Sequence, residues 1–213
     1  MKNGRPQAPE PNLINKPEPA TEPLILASGS RYRKQLLEGF TRNFSCVSPD
    51  IDETAFTDEA PQALALRLAM EKARKVAETR TGATVIGSDQ VASLNGQALG
   101  KPGNYDNAVK QLSLSAGNTI VFYTAICVIS PRLPEPRQHV DITKVHFKAL
   151  RNAEIESYVK ADQPYDCAGS FRSEGLGASL IESLENSDPT ALIGLPMNWL
   201  TARLGELGYR GTG

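Results

Sequence analysis

Histidine is nearly absent from this chain, with two residues in 213, and cysteine is scarce at three. With only His139 and His146 available, a histidine-based catalytic triad is an improbable design, and a general base is expected to be a carboxylate. His146 lies in Thr143-Lys-Val-His-Phe-Lys148, where it alternates onto the polar face with both lysines, a placement that reads as solvent-facing. Cys46, Cys127 and Cys167 are odd in number and far apart, without the paired spacing of a zinc site or disulfide framework, and read as reduced and structural. Neither sign of charge is in excess: 23 Lys and Arg against 24 Asp and Glu leave a formal net charge of −1. That balance carries no basic footprint for nucleic acid or an anionic membrane surface. No apolar run approaches a membrane span, and no hydrophobic signal-peptide core is seen, so a cytoplasmic protein is expected.

Hydrophobic residues make up 40% of the chain, enough for one substantial core. Residues 1–23 hold Pro6, Pro9, Pro11, Pro17, Pro19 and Pro23 among polar neighbours and read as a disordered tail, leaving 24–213 as the domain. Order is expected to begin with a short buried strand, Leu24-Ile-Leu-Ala, then Ser28-Gly-Ser and a helix from about 32 to 38. A strand at 44–47 and a long helix from Pro61 to about Thr79 follow, with Asp58 and Glu59 near its positive end. Strands at 84–94 and 97–99, a helix over 105–114, strands at 119–129 and 140–150, a helix over 152–160 and a last helix from Pro196 complete the reading. Helices and strands alternate irregularly with hairpins between, which predicts an α/β fold: one mixed domain around a large twisted sheet with flanking helices.

Within this pattern Asp89 is out of place. It interrupts the β-patterned run Val85-Ile-Gly-Ser-Asp-Gln-Val, and Asp is disfavoured in strands and costly to bury unpaired. Asn95-Gly96 marks a tight hairpin, and the returning strand ends in Gly100-Lys101-Pro102, so Lys101 could sit near Asp89. Lys72 is equally misplaced. At about 100° per residue the helix from Pro61 collects Arg67, Glu71, Arg74, Lys75 and Glu78 on one polar face, whereas Lys72 projects among Leu64, Leu68, Ala69 and Val76. A buried ammonium needs a carboxylate or a bound anion, unless it snorkels out along its own stem.

The Ser28-Gly-Ser-Arg-Tyr-Arg-Lys junction places hydroxyls and three cations at a strand-to-helix turn, where backbone N–H groups favour an anion. Only one or two of Arg31, Arg33 and Lys34 can face one point, and the Gly-Lys-Ser/Thr ending of a Walker loop is absent. Asp50-Ile-Asp-Glu53 adds carboxylates, which serve either to cap a loop or to ligate a hard divalent cation such as Mg²⁺ or Mn²⁺ together with Asp89. Cations from two places and carboxylates from two more favour metal-assisted phosphoanhydride cleavage.

Read in order, Leu-Ala-Ser-Gly-Ser-x-x-Arg, Asp-Glu-Thr, Glu-Lys-Ala, Gly-Ser-Asp-Gln, Gly-Lys-Pro and Ala-Gly-Ser-Phe-Arg-Ser-Glu-Gly resemble the Maf family of nucleotide pyrophosphatases. More narrowly, they resemble its YceF-type branch, associated with 7-methyl-GTP. The resemblance covers about residues 24–207 and implies a Maf/ITPase-like fold, a homodimer and a divalent metal. It implies that Asp89 is the catalytic proton acceptor, and that Ser28, Arg33, Glu53, Lys72 and Lys101 surround the phosphates and metal. Tyr32, Gln90 and Glu174 fall at the positions that separate substrate classes, although the branch usually has Trp where this chain has Tyr32. N7-methylguanine is cationic and should favour an aromatic face, Tyr32, and a carboxylate, Glu174, whereas Gln90 on a strand points away from Asp89. The expected reaction is hydrolysis of the α–β phosphoanhydride of a modified nucleoside triphosphate, a house-cleaning activity. A dTTP/UTP pyrophosphatase and a nucleotide-sensing regulator of cell division are the alternatives.

Overall fold

The first described residues are already tied to the body of the protein. The computed structural model describes residues 17–211, so most of the expected tail, 1–16, lies outside them. Arg132 takes the carbonyls of Glu18 and Pro19 and the Glu22 carboxylate, and Ala20 N–H donates to Gly208 O at 3.1 Å. Residues 18–23 are therefore held by hydrogen bonds to distant chain, which their polar, proline-rich composition does not reveal.

The sheet has seven strands: β1 (Leu24–Ala27), β2 (Ser45–Cys46), β3 (Thr84–Leu94), β4 (Gln97–Leu99), β5 (Thr119–Ile129), β6 (Arg137–Phe147) and β7 (Ile181–Glu185). Five helices accompany them: α1 (Arg31–Glu38), α2 (Pro61–Ala77), α3 (Tyr105–Ser115), α4 (Asn152–Asp162) and α5 (Met197–Glu206). The path runs β2-β1-β3-β5-β6-β7, with β4 added to β3. β1 pairs in parallel with β2 and β3, and every other pairing is antiparallel, which makes the mixed α/β sheet expected from the sequence. β5 lies between β3 and β6, so this long, mostly apolar strand offers no free edge to a partner strand.

Both strands of the β3–β4 hairpin fall where the sequence places them, around Asn95 (φ 51°) and Gly96 (φ 80°), the positive pair a tight two-residue turn requires. β6 runs three residues earlier than expected because Arg137-Gln-His, though polar, keeps pairing with β5 from Val128 to Ile126. β7 is missing from the sequence reading: its Ile-Glu-Ser-Leu-Glu is largely exposed and carries little apolar signal.

Strand alternation divides the core. Val85, Val91, Ala125 and Cys127 face α2, while Ile86, Ile126 and Val128 face α5, and Phe122 and Val145 face α3 and α4. Leu26, Ile86, Phe122 and Leu200 are fully buried, each contributing about 1.5–3 kcal/mol by leaving water. Among the described residues no helix is long and apolar enough to cross a membrane.

A candidate active site in a gap along β3

β3 is shared unequally on one side. Residues 84–87 pair with β1 and residues 92–94 with β4, so residues 88–91 have no strand partner there, while β5 pairs along the other side throughout. A cleft of ≈ 910 Å³ opens at this gap, and every residue singled out in the sequence as a site candidate lines it. A depression of ≈ 670 Å³ elsewhere, over Lys34, Arg42 and Cys46, contains none of them.

Asp89 and Lys72 explain each other. Gly87 faces α2, and a Cβ there would stand 2.2 Å from Ala69 O and 2.7 Å from Ala73 N. Only glycine on the strand, opposite small alanines on the helix, allows this approach, which brings Lys72 down to the residue two positions beyond Gly87. Lys72 and Asp89 are 6% and 7% exposed, so neither charge is hydrated freely. The Lys72 ammonium donates to Asp89 Oδ1 at 2.6 Å and lies 2.6 Å from Glu53 Oε1. The misplaced lysine thus has carboxylate partners rather than a snorkelling path. Burial pushes the Glu53 carboxyl upward, but the Lys72 hydrogen bond and charge, with Lys101 and Arg33 beyond, hold it below its ordinary value.

Of the carboxylates in 50–53, only Glu53 reaches Lys72. Asp52 accepts from Thr54 N–H at 2.9 Å and serves the turn. Arg67 fastens this loop to α2: its Nε and Nη2 donate to Glu59 Oε1 and Oε2 at 2.7 and 2.8 Å, and Nη2 also donates to Thr54 O at 3.0 Å. Its guanidinium covers Phe56, 4.0 Å from the ring centroid. Glu59 is therefore engaged by a side chain of α2, which pulls its pKa from 4.5 to about 2.

The three cations of the first loop part company as expected. Ser30 caps α1 by accepting from Arg33 N–H. The Arg33 side chain turns into the cleft, where Nε donates to Gly194 O at 2.9 Å and Nη1 to Ser28 Oγ at 3.4 Å. Burial lowers its pKa, against the attraction of Asp89 and Glu53. Lys34 points away to Glu38. Arg31 lies against Tyr32, its Cζ 4.7 Å from the ring centroid, and donates to the Tyr32 hydroxyl at 2.6 Å. Lys101 lines the cleft and, among the described residues, makes no ion pair.

Gln90 points to the sheet face opposite Asp89, as alternation requires. Its Nε2 donates to Thr124 Oγ1 and to the carbonyls of Ala191 and Leu192 at 2.9, 3.0 and 3.0 Å, so it secures the 188–195 loop. That loop was absent from the sequence reading. Asp188 organises it by accepting from Thr190 N–H at 2.9 Å and Asn198 N–H at 2.7 Å, and Asp-x-Thr is a turn signal visible in the sequence. Glu174 is exposed at the far end of the cleft, with Arg172, Asp166 and Cys167 nearby. Cys167, expected to be merely structural, is a half-buried lining thiol, pushed up to about 12 by burial and Asp166. As its alternation implies, His146 shares the outer face of β6 with the exposed Lys144, and Lys148 is exposed just past the strand. Thr119 Oγ1 and Glu185 Oε1 hold the His146 ring nitrogens at 2.8 and 2.9 Å.

Residues 23–207 match the family model described as Maf-like protein. The chain belongs to the Maf family. A protein of Albidiferax ferrireducens named 7-methyl-GTP pyrophosphatase is 51% identical over 180 residues, covering 84% of this chain and 90% of that protein. Proteins of the same name from Methylobacillus flagellatus and Nitrosococcus oceani are 50% and 46% identical. They cover 87% and 92% of this chain, and 97% and 98% of their own lengths. This Maf chain therefore carries the Lys72–Asp89 pair and the Glu174 loop within the part it shares with its family.

Proposed function

We propose that the chain hydrolyses the α–β phosphoanhydride of 7-methyl-GTP, releasing 7-methyl-GMP and pyrophosphate in the cytoplasm. The observation that carries this reading is the convergence of Glu53 and Asp89 on one point, 2.6 Å from the same ammonium, in a cleft that also holds Arg33 and Lys101. The names of the relatives and the family match support the reaction class.

Two neighbouring carboxylate charges repel, and the Lys72 ammonium on which both converge offsets that repulsion and holds them in place. Arg33, Lys101 and Ser28 bind and orient the phosphates, supplying charge where the transition state develops it. Asp89 accepts a proton from the attacking water; the water oxygen bonds to phosphorus as the bridging oxygen leaves with pyrophosphate. Among the described residues no cluster of three or more His, Cys, Asp and Glu could hold a metal alone. Two converging carboxylates nevertheless suit Mg²⁺ or Mn²⁺, which commonly take one or two carboxylates and complete their shell with phosphate and water. Glu53 and Asp89 would hold such an ion, and it would spread the negative charge of the triphosphate.

At the other end Tyr32 presents a ring that already carries a cation, the Arg31 guanidinium, and Glu174 offers a carboxylate to the guanine N1–H and amine. The Glu174 carboxylate favours an N7-methylated, positively charged purine over a pyrimidine, and the Tyr32 ring offers it a stacking surface shared with Arg31. Pyrophosphate release from 7-methyl-GTP, GTP, UTP and dTTP tests the reading. 7-Methyl-GTP should be turned over fastest, and Asp89→Asn should lower kcat by about 10²–10⁴ while nucleotide still binds. Preferred cleavage of UTP or dTTP, or stoichiometric binding without pyrophosphate release, refutes it.

A further inference from the structure

Beneath the base end of the cleft lies an ion pair that the proposed chemistry does not use. Asp162 is the last residue of α4, where the helix carbonyls gather negative charge and a carboxylate is unfavourable. Its side chain is 4% exposed, so it cannot rely on water. Arg172 Nη2 donates to its Oδ1. Gly175 closes over the pair: a Cβ there would stand 2.7 Å from Arg172 Nε and 2.8 Å from Asp162 Oδ2. Those same two atoms are buried and, among the described residues, have no hydrogen-bond partner. Arg172 is further pinned through its backbone, whose N–H donates to Tyr158 Oη at 3.1 Å.

Glu174 precedes Gly175 directly, and the Arg172 guanidinium stands near Tyr32, Asp162 and Glu174: the Tyr32 hydroxyl first, then the Asp162 and Glu174 carboxylates, hold its pKa up against burial. A free arginine in this position would be the natural partner of Glu174 and would cancel the charge on offer to a cationic base. Asp162 prevents this. We propose that Asp162 sets base selectivity from below the cleft, holding Arg172 in an ion pair anchored on a buried carboxylate and so leaving the Glu174 carboxylate available to a positively charged purine. Asp162 is in this sense a positioning residue, and the inference rests on the reading of Glu174 as a base-recognition group.

The pair explains the glycine at 175, and the neighbouring backbone explains the one at 177. Gly177 meets Arg172 O and Phe171 Cε2 at 2.3 and 2.9 Å from a built Cβ, so the loop can fold back over Arg172 only where side chains are missing. The segment 171–177 thereby folds back on Arg172, Gly175 on its guanidinium and Gly177 on its carbonyl, with Glu174 exposed between them and the solvent.

The test is the ratio of kcat/KM for 7-methyl-GTP to that for GTP, two substrates with the same phosphates and differing in one methyl group and one charge. Asp162→Asn releases Arg172 to pair with Glu174, and the ratio should fall at least fivefold. The double variant Asp162→Asn/Arg172→Gln removes the competing charge and should return the ratio to within twofold of wild type. In a Glu174→Gln background Asp162→Asn should leave the ratio unchanged. An unchanged ratio in Asp162→Asn, or an equal fall in the single and double variants, overturns the proposal in favour of a purely structural pair. If the single variant does not fold, the double variant decides: a wild-type ratio supports the proposal and a collapsed ratio overturns it. A wild-type enzyme without preference for 7-methyl-GTP refutes the substrate reading instead, and does so before any variant is made.

Discussion

At the cation-rich end of the cleft most side chains stand on regular structure, Lys72 on α2, Asp89 on β3 and Arg33 on α1, and Glu53 joins them from the loop before α2. At the proposed base end Tyr32 still stands on α1, but Glu174 sits on irregular chain, beside Gly175 and a part-buried ion pair rather than on a helix or strand. The first end relies on backbones brought close together, the second on side chains wrapped by a loop. Chemistry common to all nucleoside triphosphates suits the rigid end, since positioned charge costs no reorganisation when the reaction occurs. Selection of one base suits the loop, where a substitution can alter recognition without disturbing the sheet.

Substitutions at both ends probe this contrast, beginning with the largest effect. Lys72→Met leaves Asp89 buried without its counter-charge, and should cost about 3–5 kcal/mol in urea unfolding at neutral pH. Restoring much of that loss by adding Asp89→Leu would identify the stranded carboxylate as its origin; no recovery would locate the cost in packing. Gly87→Ala and Gly175→Ala come next, because both add a Cβ to a crowded site. At Gly87 the obstacle is helix backbone, and about 3 kcal/mol of destabilisation is expected. At Gly175 the obstacles are side-chain ends, so the change should cost less than about 1 kcal/mol and register mainly as a raised KM for nucleotide. Equal destabilisation at the two glycines would erase the distinction between the ends.

The smallest effect concerns the Arg67–Glu59 clasp, which holds the Glu53 loop onto α2. Because the folded Glu59 pKa is depressed, its contribution to stability is complete above the ordinary value of 4.5 and is lost as pH falls toward about 2. Carboxyl NMR should place the Glu59 midpoint near that lower value, and Arg67→Lys should shift it upward. A midpoint near 4.5 in the unaltered protein would show that the clasp does not hold in solution.

The rigid end was also the legible one. Asp89 broke a strand pattern and Lys72 broke a helix pattern, and each anomaly stood out because the surrounding periodicity was regular. What periodicity could not reveal was that Gly87, between Ala69 and Ala73 across the interface, is the reason the two charges meet. At the base end Glu174 was found through motif resemblance, and its support was not found at all. Asp162 and Arg172 are joined across an irregular turn that follows no repeat, and an acid at a helix end looks like any solvated surface group until its burial is known. The 188–195 loop escaped notice for a similar reason: it binds Gln90 and Arg33 through backbone carbonyls, which every residue possesses.

By itself, the sequence determined most of the elements, β7 excepted, which face of each is apolar, and which charged residues violate that arrangement, because these follow from local spacing along one chain. The tertiary structure decided what those residues do for one another. It left β3 unpartnered between β1 and β4, set Lys72 between Glu53 and Asp89, and placed Arg172 against Asp162. Such outcomes depend on close approach between distant segments, where a missing Cβ or a buried charge acts on a partner that local sequence does not name.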